Sequence, residues 1–496
     1  MNKYDIIIIG SGLGGLQTGY ILSKEGYRVC ILEQGSQIGG SIQNFVRDGV
    51  IFDTGAHYIG CYDKGQTLYR YFDYFNLNDK LVVHRMDQDR FDEISFRDNG
   101  KAYPHALGFE NFAEKLIQSF PAESKAINTY VADIKNIGND FPLFSLNGST
   151  TYSSIDQNFH TPISDYLSSL TNNQRLKAVL AGSNFLYAGQ SGKTPYYVHA
   201  LISNSYIQSS YRLVGGSGQI ARLLFKGILE LGGTVLKNKK VVEMKMIGKN
   251  IERLITSSGE EFFAKNVISN AHPVPTFKML PEEITKKIYF KRLSNLENTM
   301  SVFSLYIIFK KDSFRHFNFN IHHHENHNVW LNVNYNEKKW PYNYMFFTLP
   351  GRSNSKYAEG AIIISPMRYS EFARWEGTQT KNRPAEYYSL KDEKKEMLLS
   401  FVEERFPEIR NSIESVYSST PLTYRDYTAT HEGSMYGIAR DATNLGSILV
   451  MPKTKIPNLF ITGQNVIMHG VLGITVGSIQ TAANFVGREK LLEQIR

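Results

Sequence analysis

The sequence predicts an α/β protein: a parallel sheet that opens at the N-terminus, an antiparallel β-meander that extends it, and an inserted α+β region. Three observations predict it. An isoleucine-rich run, Tyr4 to Ile9, leads directly into the string "GSGLGG" and then into helical apolar spacing. Residues 241–271 alternate apolar and polar positions around two turns. Far along the chain, Leu459 to Ile461 runs through Thr462-Gly463-Gln464 into an apolar helix. With 496 residues, 42% hydrophobic and 21% charged, the chain can build two or three domains and is too apolar for disorder.

The first element reads as a central strand buried on both faces. Gly10, Gly12 and Gly15 follow in G-x-G-x-x-G spacing, and "LQTGYILSKEG" continues as a helix that stops at Gly26. "YRVCILE" is then a second strand ending on Glu33, 23 residues past Gly10. In a Rossmann-type unit each part has a task. Gly10 permits the tight turn, Gly12 lets backbone approach a pyrophosphate, and Gly15 allows close helix–strand packing. The helix N-terminus offers N–H groups and partial positive charge to phosphates, and the acidic residue takes ribose hydroxyls. Glu33 favours an unphosphorylated ribose, hence FAD or NAD rather than NADP.

The meander follows from "VVEMKMIGKNIERLITSSGEEFFAKNVISNA", with turns at Gly248-Lys249-Asn250 and Ser257-Ser258-Gly259. Gly215-Gly216-Ser217-Gly218 opens another helix. It lacks the fingerprint spacing and no buried strand is expected before it, so it reads as a tight turn and N-cap rather than a second dinucleotide site. Near the end, a helix N-terminus close to Gly473 can present N–H groups to the N1–C2 edge of a reduced flavin. The same residues also read as an ordinary strand–loop–helix.

Four separated motifs carry a family resemblance: "GSGLGG…ILEQGSQIGG", "FDTGAHYIG", "YRLVGGSGQIARLL" with "VISNAHP", and "LFITGQNVIMHGVLG". "DRFDEISF" and "STPLTYRDY" add to them. On these the sequence resembles, over nearly its whole length, the flavoprotein family of phytoene desaturases, carotenoid isomerases and retinol saturases. Ser41 and Gln464 stand where phytoene desaturases carry Arg and Asp, which tilts the resemblance toward the retinol saturase branch. The resemblance implies non-covalent FAD. It implies cofactor contacts from Gly10, Gly12, Leu13, Gly14, Gly15, Glu33, Gln34, Gly39, Gly40, Ser41, His57 and Tyr58. It adds Val242 against the adenine, and Gly463, Gln464, Gly470, Leu472, Gly473 and Ile474.

Two histidines are candidates for chemistry. His57 follows "FDTG", a segment that by resemblance runs near the isoalloxazine, and His469 directly precedes Gly470. Either also reads as a histidine satisfied within its own turn. The run His322-His323-His324-Glu325-Asn326-His327 invites a metal, but it reads as a polar hairpin tip whose neighbouring side chains diverge, and no metal is expected. Cys30 and Cys61 exclude a disulfide scaffold and multi-cysteine metal sites. Cys30 belongs to the core and neither suits a covalent flavin. No Ser-His-Asp arrangement, carboxylate pair or Walker loop is readable, so the flavin itself is expected to be the reacting centre.

The formal charge of +8 is too small for a nucleic-acid footprint and compatible with anionic surfaces. No apolar run approaches a membrane span, and Asp5 and Gly10 argue against a signal peptide, so a cytoplasmic, peripherally membrane-associated protein is expected. Residues 1–75, 211–275 and 441–496 are assigned to a discontinuous FAD-binding domain, and 76–210 and 276–440 to a substrate domain. Thirty Tyr and thirty Phe suit an aromatic-lined tunnel for an apolar substrate, although most belong to the core. The expected activity is FAD-dependent oxidoreduction at conjugated C=C bonds of a polyene or isoprenoid lipid. An external electron donor or acceptor is expected, because no separate NADPH domain is readable. The alternatives are a flavin amine oxidase and a lipid-binding flavoprotein without catalysis.

Overall fold

The computed structural model describes residues 3–98, 100–146, 160–286, 288–350, 356–444 and 450–496. Its first sheet has seven strands, in the order Thr234–Leu236, Val29–Leu32, Lys3–Ile9, Glu261–Ser269, Asn250–Thr256 and Val241–Ile247. The seventh, Leu459–Ile461, pairs in parallel with the last residues of Glu261–Ser269. Lys3–Ile9 is central and parallel to both neighbours, with Ile9 opposite Leu32 and Ser269. Ile6, Ile7 and Ile8 expose no surface, as β-branched side chains buried on both faces of a parallel sheet should. The meander turns where expected, with register shifts at Val241/Glu243 and Lys245/Met246. Cys30 lies in the core, where burial pushes its thiol up to about 12.

The second sheet also has seven strands: Ile413–Ser419, Ser301–Phe309, Ala358–Met367, Asn343–Pro350, Asn320–His324, Asp92–Phe96 and Ala102–His105. Every neighbour is antiparallel except one. Asp92–Phe96 runs parallel to Asn320–His324, His322 lying opposite Ile94. This corrects the hairpin-tip reading of the histidine run. His322, His323 and His324 are buried in a strand interior, where each finds a protein partner instead of water. His322 faces Asp92 (Nε2–Oδ2 3.3 Å), His323 meets Ser95 Oγ at 2.9 Å, and His324 meets the Gly182 carbonyl at 2.8 Å. Among the described residues, no group of three or more His, Cys, Asp or Glu is arranged to hold a metal ion.

A small antiparallel sheet has the order Ile59–Gly60, Ser210–Leu213 and Val83–Arg85. It holds the second correction, since a short, mostly buried strand does precede the turn at 215–218. Gly215 and Gly216 adopt φ of +80° and +87°, as a tight turn requires. Ser217 does not cap the helix Gly218–Glu230 with its hydroxyl. Its N–H and Oγ donate to Asp53 instead (2.6 and 2.8 Å), and Asn44 Oδ1 accepts the Gly218 N–H at 2.6 Å. Two side chains from the 44–53 hairpin therefore fill the place an anion would take. Among the described residues, no helix is long and apolar enough to cross a membrane.

Candidate functional site

The glycine loop after Ile9 is built by close backbone approach. Gly10 has φ of +92°, and a Cβ on Gly15 would stand 2.1 Å from the Gly10 carbonyl oxygen, so the helix Leu13–Lys24 touches the strand end directly. Gly12 caps this helix without a side-chain hydrogen bond, leaving first-turn N–H groups available to a ligand. Glu33 sits at the end of the second strand. One carboxylate oxygen accepts from Ser11 N–H (2.8 Å) and Ser11 Oγ (2.6 Å), the other from Gly35 N–H (2.7 Å).

The second glycine pair folds onto this loop. Gly39 N–H donates to the Ser11 carbonyl at 3.0 Å, and a Cβ on Gly40 would lie 3.2 Å from Gly12 Cα. A Cβ on Gly55 would lie 2.9 Å from the Ser41 carbonyl oxygen, so "FDTG" packs on the same corner. On the opposite side, a Cβ on Gly14 would stand 2.6 Å from Gly463 Cα. Motifs from the beginning, the first tenth and the end of the chain thus meet in one naked-backbone cradle, which suits the diphosphate of a dinucleotide. Val242 is 44% exposed at the start of the meander, near Glu33, whose carbonyl accepts the Lys239 N–H at 2.7 Å. Gln34 is exposed and Leu13 buried.

Asn270 was not singled out as a site residue by the sequence. Its N–H donates to the Ile9 carbonyl at 2.9 Å, and its amide is the nearest neighbour of a Cβ placed on Gly12, Gly14 or Gly463 (2.7, 2.6 and 2.5 Å). It wedges the two glycine segments apart by one side chain. No spacing rule points to it; only its place one residue past the end of a buried strand does.

The helix following the last strand begins at Gly470, one turn earlier than Gly473. Gly470 has φ of +73°, and a Cβ on Gly473 would stand 2.7 Å from Met468 Cβ, so the chain doubles back tightly into its own first turn. Leu472 is buried here, while Gln464 and Ile474 are half-buried. His469 is 3% exposed, lies 4.3 Å from the Tyr436 ring, and makes no hydrogen bond through Nδ1. Burial, aided by repulsion from Arg440, pushes its pKa down to about 3, so the imidazole is neutral. His57 is alike: neither ring nitrogen has a partner, the ring lies 4.6 Å from Phe347, and burial with Arg212 nearby brings it to about 3. Tyr58 donates to Asp92 Oδ2 at 3.0 Å, and its ring lies 4.4 Å from that of Tyr206.

His469 lies in the wall of two cavities. One is mostly apolar, lined by Ile59, Leu68, Phe144, Leu201, Ile202, Tyr206, Met468 and the turn Gly470–Gly473. The other is mixed: Gln190, Thr194, Thr299 and Arg440 line it together with Ala188, Ile438 and Ala439. His57 borders neither of these two cavities.

Comparison with known proteins agrees with this architecture. All-trans-retinol 13,14-reductase of Danio rerio is 27% identical over 99% of this chain and 87% of its own. A chloroplastic prolycopene isomerase of an Oncidium hybrid cultivar is 25% identical over 97% of this chain and 83% of its own. In fold, a putrescine oxidase superposes with a TM-score of 0.66 at 13% identity, covering 98% of this chain and 99% of that one. The model of flavin-containing amine oxidoreductases matches residues 13–472, from the helix behind the glycine loop to the turn at His469. That match takes in Glu33, the second glycine pair and the C-terminal glycine turn, so FAD is the cofactor they fit, and the chain belongs to the flavin-containing amine oxidoreductase family.

Proposed function

We propose that the protein is an FAD-dependent oxidoreductase acting on conjugated C=C bonds of a polyene or isoprenoid lipid, running in the reductive sense. The observation that carries this is the character of the space beside His469. It is walled by aliphatic and aromatic side chains, and the histidine in its wall is held neutral. Such a wall desolvates an apolar chain and offers no anion to bind an ammonium group. The relationship to a retinol 13,14-reductase and a prolycopene isomerase supports the same class of substrate.

Bound FAD supplies the hydride chemistry. In this reading Gly10, Gly12, Gly15, Gly39 and Gly40 bring backbone N–H groups to its diphosphate, and Glu33 accepts from the ribose. Val242 covers the adenine, while Gly463, Gln464, Gly470 and Gly473 border the isoalloxazine. The helix Gly470–Val486 directs its N-terminal partial charge toward that border. The first sheet forms the discontinuous nucleotide domain, and the second sheet with its helices the substrate domain. Electrons come from an external partner, and the lipid is collected from a membrane surface to which the +8 chain attaches peripherally.

The test is anaerobic. Dithionite-reduced holoenzyme mixed with all-trans-retinol or a carotenoid should shorten the polyene's absorption wavelength while the flavin reoxidises. Amines that rapidly reduce the oxidised enzyme, with no polyene altering either redox form, would replace this reading by an amine oxidase. Polyene binding with no flavin coupling would leave a lipid carrier.

A further inference from the structure

Two buried cations in this protein are neutralised by a carboxylate: Lys394 lies 3.1 Å from Glu371, and Arg383 pairs with Asp426. Among the described residues, Arg212 and Arg440 have none within ion-pair distance. Arg212 still donates to the Phe319 carbonyl and to Asn320 Oδ1, both at 2.9 Å, with the charge of Asp92 nearby. Arg440 has less. It is 7% exposed, its Nε has no hydrogen-bond partner, and Nη2 reaches only the carbonyls of Gln464 and Asn465, at 3.4 and 3.3 Å. Among the described residues no carboxylate pairs with it, and burial opposes its charge. A desolvated guanidinium of this kind is a standing cost unless something brings a negative charge to it.

The surroundings say what that something is. Arg440 lines the mixed cavity with Gln190 and Thr194, and the Gln190 side-chain amide makes no hydrogen bond to another described residue. Among the described residues no second Lys or Arg lines the cavity, and neighbouring Lys193 is engaged by Glu297 at 2.8 Å. One fixed positive charge with neutral hydrogen-bonding groups balances one negative charge, which a carboxylate carries and a phosphate monoester exceeds. Across the neutral His469 lies the apolar cavity. The two spaces share a single imidazole.

We propose that Arg440 receives the carboxylate of a conjugated polyene acid whose chain lies in the apolar cavity, so that the preferred substrates are polyene carboxylates rather than alcohols or hydrocarbon carotenoids. The polyene part of this statement rests on the function proposed above; the carboxylate part rests on Arg440 alone.

The experiment titrates oxidised holoenzyme with all-trans-retinoate and all-trans-retinol, following fluorescence quenching. Wild type should prefer the carboxylate by about tenfold or more. Arg440→Gln should collapse that preference to near unity, Arg440→Lys should keep part of it, and Arg440→Gln without ligand should melt no lower than wild type. Gln190→Leu, which keeps the cation, should weaken retinoate more than retinol. A wild-type ratio near one, or a ratio unchanged in Arg440→Gln, overturns the proposal. So does a variant whose defect is lost FAD or a shifted flavin potential at unchanged ratio, because the cation then serves the cofactor. Hexadecanoate separates the two claims. Arg440-dependent binding of this saturated acid, with no polyene bound or converted, retains the carboxylate site and discards the polyene reading. Equal conversion of both retinoids does the reverse.

Discussion

Gly15→Ala is the smallest perturbation that tests the cradle. The new Cβ would stand 2.1 Å from the Gly10 carbonyl oxygen, 3.2 Å from its carbon and 3.3 Å from Asn270 Cβ. The first two neighbours are backbone, so no side chain can rotate away, and the helix Leu13–Lys24 must retreat by roughly 1 Å. Overpacking of this kind costs about 1–3 kcal/mol, of which alanine's better helix propensity returns up to about 1. Cofactor binding suffers more. The retreat withdraws first-turn N–H groups from a charged diphosphate, and losing one such bond is worth about 1.5–3 kcal/mol, or ten- to more than a hundred-fold in affinity. The assay is flavin per protein after gel filtration, together with thermal unfolding of both forms. Gly19→Ala is the control on the same helix. Its Cβ meets side chains and no backbone, with Ile31 Cδ1 nearest at 2.7 Å and Ile8 Cδ1 at 3.4 Å, so it should bind FAD as wild type does. Stoichiometric FAD and an unshifted melting temperature in Gly15→Ala would refute the reasoning, as would equal damage from both substitutions.

Three further expectations follow. Gly12→Val should abolish FAD binding, because its Cβ meets Asn270 Nδ2 at 2.7 Å and the larger side chain must displace that amide or the loop; retained flavin would show that the cradle is misplaced. Glu33→Ala should weaken FAD about ten- to a hundred-fold by removing the ribose acceptor and stranding the Ser11 and Gly35 N–H groups, which equilibrium dialysis against FAD would measure. Acid should destabilise the fold. Burial lowers His57, His199, His324 and His469 from 6.5 to about 3, so between those values the unfolded chain binds more protons and stability falls as pH falls. The loss reaches about 1.4 kcal/mol per pH unit for each histidine, and a melting temperature that stays level or rises from pH 7 to pH 5 would contradict it.

Local signals made the nucleotide half legible. The run from Tyr4 to Glu33 declares strand, turn, helix and strand through glycine spacing and β-branched residues, and the meander declares itself through its turns. The second half hid what depends on pairing at a distance. Asp92–Phe96 finds its parallel partner 228 residues later, between elements that carry no mark of each other. The histidine run misled because polarity was taken for exposure, whereas Asp92, Ser95 and Gly182 supply partners inside the sheet. Asn270 and Arg440 are single residues without a pattern. One acts by filling the gap between glycines, the other by being buried without a carboxylate, and neither property exists until the chain is folded.

The seam between the glycine loop and the helix Gly470–Val486 also sets a schedule. Gln17 Nε2 donates to Thr475 Oγ1 at 2.7 Å across 458 residues, and Thr18 meets Thr462 at 3.0 Å. At ribosomal rates of about 5–20 residues per second, the first helix emerges roughly 20–90 s before the partner that covers it. During that interval its small, apolar face is open to solvent and to chaperones. Cofactor loading therefore belongs to the end of synthesis, and a chain shortened ahead of residue 470 should leave the ribosome colourless however intact its nucleotide fingerprint.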